Sequence, residues 1–219
     1  MGLYAKYILV NLFFDLDGTL VDAKKRLYKL FQDLVPVSQL SHDEYWNRKR
    51  SGVSHRQLLL DEYNYDEQLF RAFENKWMSL IESSHYLSMD KPIEGVTQKL
   101  SQFTSAGYLL FVVTARQKRG PVVQQIEDFG WTRHFAKVLI TEQKHSKAEL
   151  VYPYLDPGKK NVIIGDTGID IECGKTLKMH TIAVLSGFLS YEVLVGYEPD
   201  HVITSVENMS VAFLRHINR

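Results

Sequence analysis

The stretch FFDLDGTLVD, residues 13–22, closes an apolar run with two aspartates, Asp15 and Asp17, and continues directly into Gly-Thr. Carboxylates that follow a buried strand are costly unless they are solvated or matched by a cation. An isolated pair of this kind is ordinarily a solvated turn. The alternative is a site that holds a cation, and the remainder of the chain has to decide between the two interpretations.

Two further apolar runs end in a similar way. FVVT ends at Thr114 and VIIGD ends at Asp166. Each has an ordinary alternative, because Thr114 can simply end a strand and Asp166 with Asp170 can cap a helix. Ligands of open parallel sheets bind beyond the carboxyl ends of the strands. If the three runs are parallel strands, Asp15, Thr114 and Asp166 converge on one site.

Short apolar runs rich in β-branched residues alternate with stretches of helical period along much of the chain. This alternation predicts an α/β fold with a Rossmann-like, mostly parallel sheet and helices on both faces. The runs predicted as strands are Ile8–Phe14, Leu109–Val113, Val138–Ile140, Val162–Ile164, Thr181–Leu185 and His201–Ile203.

Residues 21–91 break this rhythm, because they contain helical stretches and many aromatic residues but no convincing strand. A crossover of this length is better explained as an inserted all-α module, a small helical bundle whose core holds the aromatics. The predicted domains are therefore a core of residues 1–20 and 92–219 and a cap of residues 21–91. Helices are expected over Lys24–Leu34, Asp43–Lys49, His55–Glu62 and Glu67–Ser83.

Composition excludes several classes of function. The 219 residues contain 26 Lys and Arg against 26 Asp and Glu, so the positive excess typical of a nucleic-acid binder is missing. A single cysteine, Cys173, excludes an internal disulfide and fits a reducing compartment. No apolar stretch is long enough to span a membrane, and the N-terminal apolar run lacks a signal-peptide cleavage site. The expected location is cytoplasmic.

Chemistry suggests what the converging side chains do. Asp15 and Asp166 side by side would repel each other unless a cation lay between them. Carboxylate oxygens without clustered His or Cys suit a hard ion, most simply Mg²⁺. Asp15 could then attack a phosphoryl group as a nucleophile. Asp17 could act as the general acid and base, and Thr19 could hold the turn by a side-chain hydrogen bond.

The motifs resemble those of the haloacid-dehalogenase-like (HAD) hydrolase superfamily, in particular its phosphoglycolate-phosphatase-like members with a helical cap. DLDGT at Asp15–Thr19 matches the first motif, the strand that ends at Thr114 matches the second, and GDTGID with Asp166 and Asp170 matches the fourth. The third motif is a lysine on a helix, for which HSKAEL offers Lys147.

The resemblance implies roles for these positions. Asp15 would be the nucleophile and Asp17 the acid and base. Asp15, the backbone carbonyl of Asp17, and Asp166 would hold Mg²⁺, with Asp170 in support. Thr114 and Lys147 would bind the phosphoryl oxygens. The lysines that compete with Lys147 for this role are Lys144, Lys159 and Lys160.

Within the predicted cap, RKRSGVSHR (residues 48–56) resembles the family's substrate-specificity loop. Arg50, His55 and Arg56 are candidates to contact an anionic substrate, and a solvated turn is the alternative. The chain departs from the family pattern after Thr114, where Ala115-Arg116 stands in place of a frequent asparagine. It also departs at Cys173 and at Leu177-Lys178.

The predicted function is a Mg²⁺-dependent phosphatase that hydrolyses a small phosphorylated metabolite through an aspartyl-phosphate. The alternatives are a beta-phosphoglucomutase-like phosphomutase and a non-catalytic HAD-fold binding protein. Mutase relatives carry a histidine shortly after the first motif, whereas VDAKKRLYKLF (residues 21–31) contains none. This difference favours hydrolysis. The sequence leaves the identity of the substrate and the oligomeric state open.

Overall fold

The computed structural model describes residues 10–158 and 160–217. The start of the predicted first strand, Ile8, and the competing lysine, Lys159, lie outside these ranges. The described strands are β1 (Asn11–Phe14), β2 (Val21–Asp22), β3 (Lys91–Pro92), β4 (Leu109–Thr114), β5 (Phe135–Ile140), β6 (Asn161–Gly165), β7 (His180–Val184) and β8 (His201–Ile203).

Six of these strands form one sheet in the order β5-β4-β1-β6-β7-β8. Every neighbouring pair in this sheet is parallel. All four residues of β1 are buried, as expected for a central strand of a sheet covered on both faces. The predicted Rossmann-like α/β class is confirmed.

Eleven α-helices accompany the strands in the described ranges. Those of the insert are α1 (Lys24–Leu34), α2 (His42–Arg50), α3 (His55–Tyr63), α4 (Glu67–Leu80) and α5 (Ser84–Leu87). Those of the core are α6 (Val96–Ser105), α7 (Arg119–Asp128), α8 (Lys147–Val151), α9 (Gly168–Thr176), α10 (Tyr191–Val195) and α11 (Val211–His216).

The sheet separates two apolar layers, because successive side chains of a strand point to opposite faces. Phe14, Val112 and Ile164 belong to the larger layer. Phe13 and Val113 belong to the smaller one, on the opposite face. The near-continuous apolar runs of the central strands follow from this burial on both sides.

The helices α1 to α5 form the cap, whose core is aromatic. Phe31, Tyr45, Trp46 and Phe73 are buried together in it, which confirms that these aromatics pack the bundle itself. Contrary to the expectation of an insert without strands, β2 and β3 pair as an antiparallel ribbon at its two ends. Each strand has two residues, too few to produce a readable alternation. Within the described ranges, no helix is sufficiently long and apolar to cross a membrane.

Candidate active site

Three neighbouring strands bring the predicted polar residues together at their carboxyl ends. Asp15 follows β1, Thr114 is the last residue of β4, and Asp166 follows β6. Asp170 joins them from the first turn of α9. Asp15, Asp166 and Asp170 are buried, and one carboxylate oxygen of each lies within 4.8 Å of the others. The strand order thus builds a cluster of three buried carboxylates.

Asp166 accepts hydrogen bonds from the segments that follow β1 and β7, the two strands beside β6. The Thr19 hydroxyl donates to its Oδ1 at 3.1 Å, and the backbone N–H of Phe188 donates to its Oδ2 at 2.8 Å. Gly18 has a φ of +88°, and a Cβ there would lie 2.4 Å from Asp166 Oδ2. Gly18 leaves room for Asp166, and Thr19 positions its carboxylate. The hydroxyl of Thr19 therefore contacts Asp166 and, contrary to the prediction from the sequence, does not hold its own turn.

Asp170 combines helix capping with a place in the cluster. The backbone N–H and the hydroxyl of Thr167 donate to its Oδ2 at 3.1 and 2.7 Å. Its Oδ1 accepts from Lys147 Nζ at 2.5 Å. Asp170 therefore caps α9 and also lies in the carboxylate cluster.

Lys147, the first residue of α8, is the lysine that the fold delivers to this cluster. Its buried ammonium donates to the carboxylates of Asp15 and Asp170. Lys144 is exposed, and its Nζ lies 3.5 Å from a carboxylate oxygen of Glu142. The remaining competitor in the described ranges, Lys160, donates to the carbonyl of Ile217.

The electrostatics of the cluster fit a hard divalent cation. Burial raises the pKa of Asp15 to about 7 although Lys147 opposes the shift, and burial with the neighbouring carboxylates raises the pKa of Asp166 well above its ordinary value. The ammonium of Lys147 stays charged, because Asp15 and Asp170 outweigh its burial and raise its pKa. Three oxygen donors that repel one another are the donor set that Mg²⁺ prefers.

The side chain of Asp17 faces two arginines. Arg26 Nη2 donates to Asp17 Oδ1 at 2.6 Å, and Arg116 donates through Nε at 2.8 Å and Nη2 at 2.6 Å. Burial by itself would raise the pKa of Asp17, but the guanidinium of Arg116, followed by that of Arg26, outweighs burial and holds the pKa below its ordinary range. Asp17 is therefore ionised in this arrangement.

Asp90 completes the arginine cluster from the end of the cap. Its Oδ2 accepts from Arg116 Nη2 at 3.1 Å, and its Oδ1 lies 3.0 Å from Arg26 Nε. Sequence reasoning noted Arg116 only as a departure and missed Arg26. The spacing of Arg26 and Leu30, four apart on the buried face of α1, was the available pattern.

Glu82 ties the cap to the core beside the site. Its carboxylate accepts from the backbone N–H groups of Gln117 at 2.6 Å and Lys118 at 3.0 Å, just before α7 begins. The Gln117 side chain donates to the carbonyl of Met78 at 2.9 Å. The segment after β4, which carries Arg116, is thus fastened to the end of α4.

A cavity of about 240 Å³ lies between the cap and the sheet end. Asp15, Asp17, Thr114 and Lys147 line it from the core together with Arg116. Arg26, Leu27, Trp77, Met78, Ile81 and Glu82 line it from the cap. Asp15 from the carboxylate cluster and both arginines of the arginine cluster therefore face the same space.

The cap residues predicted from the basic stretch 48–56 contact other groups. None of the three is among the described residues that line this cavity. Arg50 donates to the carbonyl of Leu185 at 3.2 Å, which joins the cap to the core. The ring of His55 lies in the aromatic cap core, where burial holds its pKa well below the ordinary value. Arg56 pairs with Glu67 on the surface.

Comparison with known proteins gives two curated relatives along nearly the whole chain. Over 218 residues the chain is 25% identical to a phosphoglycolate phosphatase of Mesorhizobium japonicum. The match covers 94% of this chain and 95% of that protein. Over 204 residues it is 26% identical to a 5′-nucleotidase of Pseudomonas aeruginosa, covering 87% of this chain and 89% of that protein.

The solved structures agree with the fold. A haloacid dehalogenase-like family hydrolase from Streptococcus pneumoniae superposes with a TM-score of 0.74 at 18% identity, covering 95% of this chain and 98% of that one. The sequence matches the haloacid dehalogenase-like hydrolase family over residues 12–184, from β1 to the end of β7. This span includes the carboxylates, Thr114 and Lys147, and the chain is a member of the haloacid dehalogenase-like hydrolase family.

Proposed function

We propose that the protein is a Mg²⁺-dependent phosphatase that hydrolyses a small phosphorylated metabolite through an aspartyl-phosphate on Asp15. The observation that carries the proposal is the buried cluster of Asp15, Asp166, Asp170 and Lys147 beside Asp17 at one cavity. The names of the two curated relatives, a phosphoglycolate phosphatase and a 5′-nucleotidase, support a phosphorylated small molecule as the substrate.

In the first step, an Asp15 carboxylate oxygen attacks phosphorus and the bond from phosphorus to the leaving oxygen breaks. The leaving oxygen takes a proton from Asp17. Because two arginines keep Asp17 ionised, it first has to exchange part of these contacts and take up a proton from solvent water as the substrate binds. Thr114 and Lys147 hold the phosphoryl oxygens during this transfer.

In the second step, water attacks the phosphorus of the aspartyl-phosphate. The water proton passes to the carboxylate of Asp17, the bond from Asp15 to phosphorus breaks, and inorganic phosphate leaves. The ionised state of Asp17 in the described arrangement suits this base role directly.

The carboxylates of Asp15 and Asp166, with the backbone carbonyl of Asp17 and support from Asp170, would hold Mg²⁺. When bound, the ion supplies charge that lowers the repulsion between a carboxylate nucleophile and an anionic phosphoryl group. Lys147 adds a positive charge at the same place through its contacts with Asp15 and Asp170.

The decisive experiment is phosphate release from a panel of phosphorylated metabolites with Mg²⁺, with Asp15→Asn as the matched variant. We expect turnover by the wild type and none by the variant. In ¹⁸O-labelled water, the label should enter the inorganic phosphate. Conversion of a hexose 1-phosphate to its 6-phosphate with little free phosphate would instead assign the mutase activity, and a lack of both turnover and Mg²⁺ binding would assign a binding protein.

A further inference from the structure

A second cavity, of about 380 Å³, lies where the cap returns to the core. Its lining residues all fall within two segments, residues 82–90 and residues 121–129, which contain α5 of the cap and most of α7 of the core. The volume falls within the roughly 300–1,000 Å³ of small-molecule sites. We propose that this cavity binds a small organic cation, a primary ammonium on a compact apolar body.

The second cavity is separate from the active-site cavity, although the two share a wall. Glu82 lines both, and its carboxylate accepts from the backbone N–H groups of Gln117 and Lys118 between them. Neither Asp15 nor Lys147 lines the second cavity. A ligand bound there would therefore leave the proposed phosphoryl site free, and the inference does not rest on the proposed phosphatase function.

The charged side chains of the second cavity favour a cation. Glu82, Asp90 and Asp128 line it, and none of its described lining residues is Lys, Arg or His. Glu82 and Asp90 already accept from donors of the protein. Exposed Asp128 accepts from the neutral amide of Gln124 at 2.9 Å and has no cationic partner among the described residues. An incoming ammonium would supply that partner.

Gln125 supplies an independent sign of a ligand, a buried acceptor that nothing satisfies. The residue lines the cavity and is only 7% exposed. Its Nε2 donates to Asp90 Oδ2 at 3.0 Å, whereas its Oε1 has no hydrogen-bond partner in the part of the chain that the structure describes. A buried acceptor without a donor is costly, and an N–H group of the ligand would satisfy it.

The remaining lining gives the ligand its apolar body. Leu87, Pro121 and Phe129 are half-buried side chains of the same cavity. An aromatic ring such as that of Phe129 also attracts an ammonium placed over its face. A hydrated inorganic ion would leave these apolar surfaces without a contact. An organic ammonium uses them together with the carboxylates and the amide.

Benzylamine and benzyl alcohol separate recognition of the charge from filling of the space. Both carry the same ring and have nearly the same size, but only the amine is positively charged at pH 7. We expect calorimetry on the full chain with Mg²⁺ present to show benzylamine binding about tenfold or more tightly than benzyl alcohol, because charge-assisted hydrogen bonds are the stronger ones.

Two variants locate the binding. Ser88→Trp fills the cavity from an exposed position and should abolish benzylamine binding. Ser79→Trp on α4 is the matched control and should bind as the wild type does. Both serines are exposed, and each hydroxyl donates to the carbonyl three residues earlier, at 2.7 Å for Ser88 and 2.8 Å for Ser79. Gln125→Leu removes Oε1 at similar size and should reduce the preference for the amine below about threefold.

Equal binding of the two ligands by the wild type, or binding of neither, would overturn the proposal. Benzylamine binding that Ser88→Trp leaves intact would place the amine elsewhere and would overturn it too. If Ser88→Trp does not fold, the preference measured in Gln125→Leu decides the same question. None of these measurements requires turnover, so failure of the proposed phosphatase function and failure of this site are separate results.

Discussion

Replacing Lys147 by methionine removes the one positive side chain that contacts Asp15 and Asp170 in the described cluster. Three buried carboxylates then lie within 4.8 Å of one another without their ammonium partner. Removing one partner from a buried ion pair costs about 3–5 kcal/mol. For a chain of this length that corresponds to a loss of roughly 6–20 °C in Tm, at about 2–4 °C per kcal/mol.

The size of this loss of stability depends on pH, and the direction of the dependence follows from the pKa of Asp15. Burial raises the pKa of Asp15 from its ordinary 3.8 to about 7 in the folded protein. A group with a raised folded pKa contributes stability at low pH that is lost as the pH rises through the folded value. Without Lys147 this pKa rises further. The deficit of Lys147→Met should therefore be widest near pH 8 and narrow toward pH 5, where a protonated Asp15 needs no cation.

Urea denaturation in EDTA at both pH values measures the deficit, and added Mg²⁺ should recover part of it at pH 8 by binding the folded state. Lys144→Met is the matched control, since its exposed side chain should contribute within about 0.5 kcal/mol. Equal stability of Lys147→Met and Lys144→Met at pH 8 would show that the buried cluster does not depend on this lysine.

Two further predictions address the metal and the cap. EDTA should abolish turnover and Mg²⁺ should restore it, and full activity in metal-free buffer would contradict this. Asp166→Asn should weaken Mg²⁺ affinity about tenfold or more by calorimetry. The exposed control Asp128→Asn should leave this affinity unchanged. Glu82→Gln should lower stability by about 1–3 kcal/mol in urea, because one of the two backbone N–H groups loses its carboxylate acceptor. Exposed Glu74→Gln on α4 is its control, and equal stabilities would remove Glu82 as the link.

The sheet and its carboxylate cluster were predictable because their determinants are local or topological. The strands β1, β4 and β6 each contain an apolar run, and a polar residue stands at the end of each run. Parallel strands then place Asp15, Thr114 and Asp166 on one edge without any knowledge of individual contacts. The ribbon of β2 and β3 escaped prediction because two residues per strand carry no period.

Beyond the helical spacing of Arg26 and Leu30, the sequence gives no sign of the arginine cluster, because its contacts join separate segments. Arg116 and Asp17 are 99 positions apart, and Arg26 reaches Asp17 from the cap. An arginine is ordinarily a solvated charge, and only tertiary packing buries Arg26 on α1 and Arg116 in the segment after β4. The partners of the basic stretch 48–56 are also not visible in its run of basic letters. Arg56 pairs with Glu67, and Arg50 donates to the carbonyl of Leu185.

The phosphoryl group on Asp15 is the central claim, and its direct measurement is mass spectrometry of protein quenched with acid during turnover of an active substrate. The account predicts that the peptide containing Asp15 carries the mass of one phosphoryl group, and that this modification is absent from Asp15→Asn. Steady turnover by the wild type with no phosphorylated peptide, or ordinary activity in Asp15→Asn, would contradict the account.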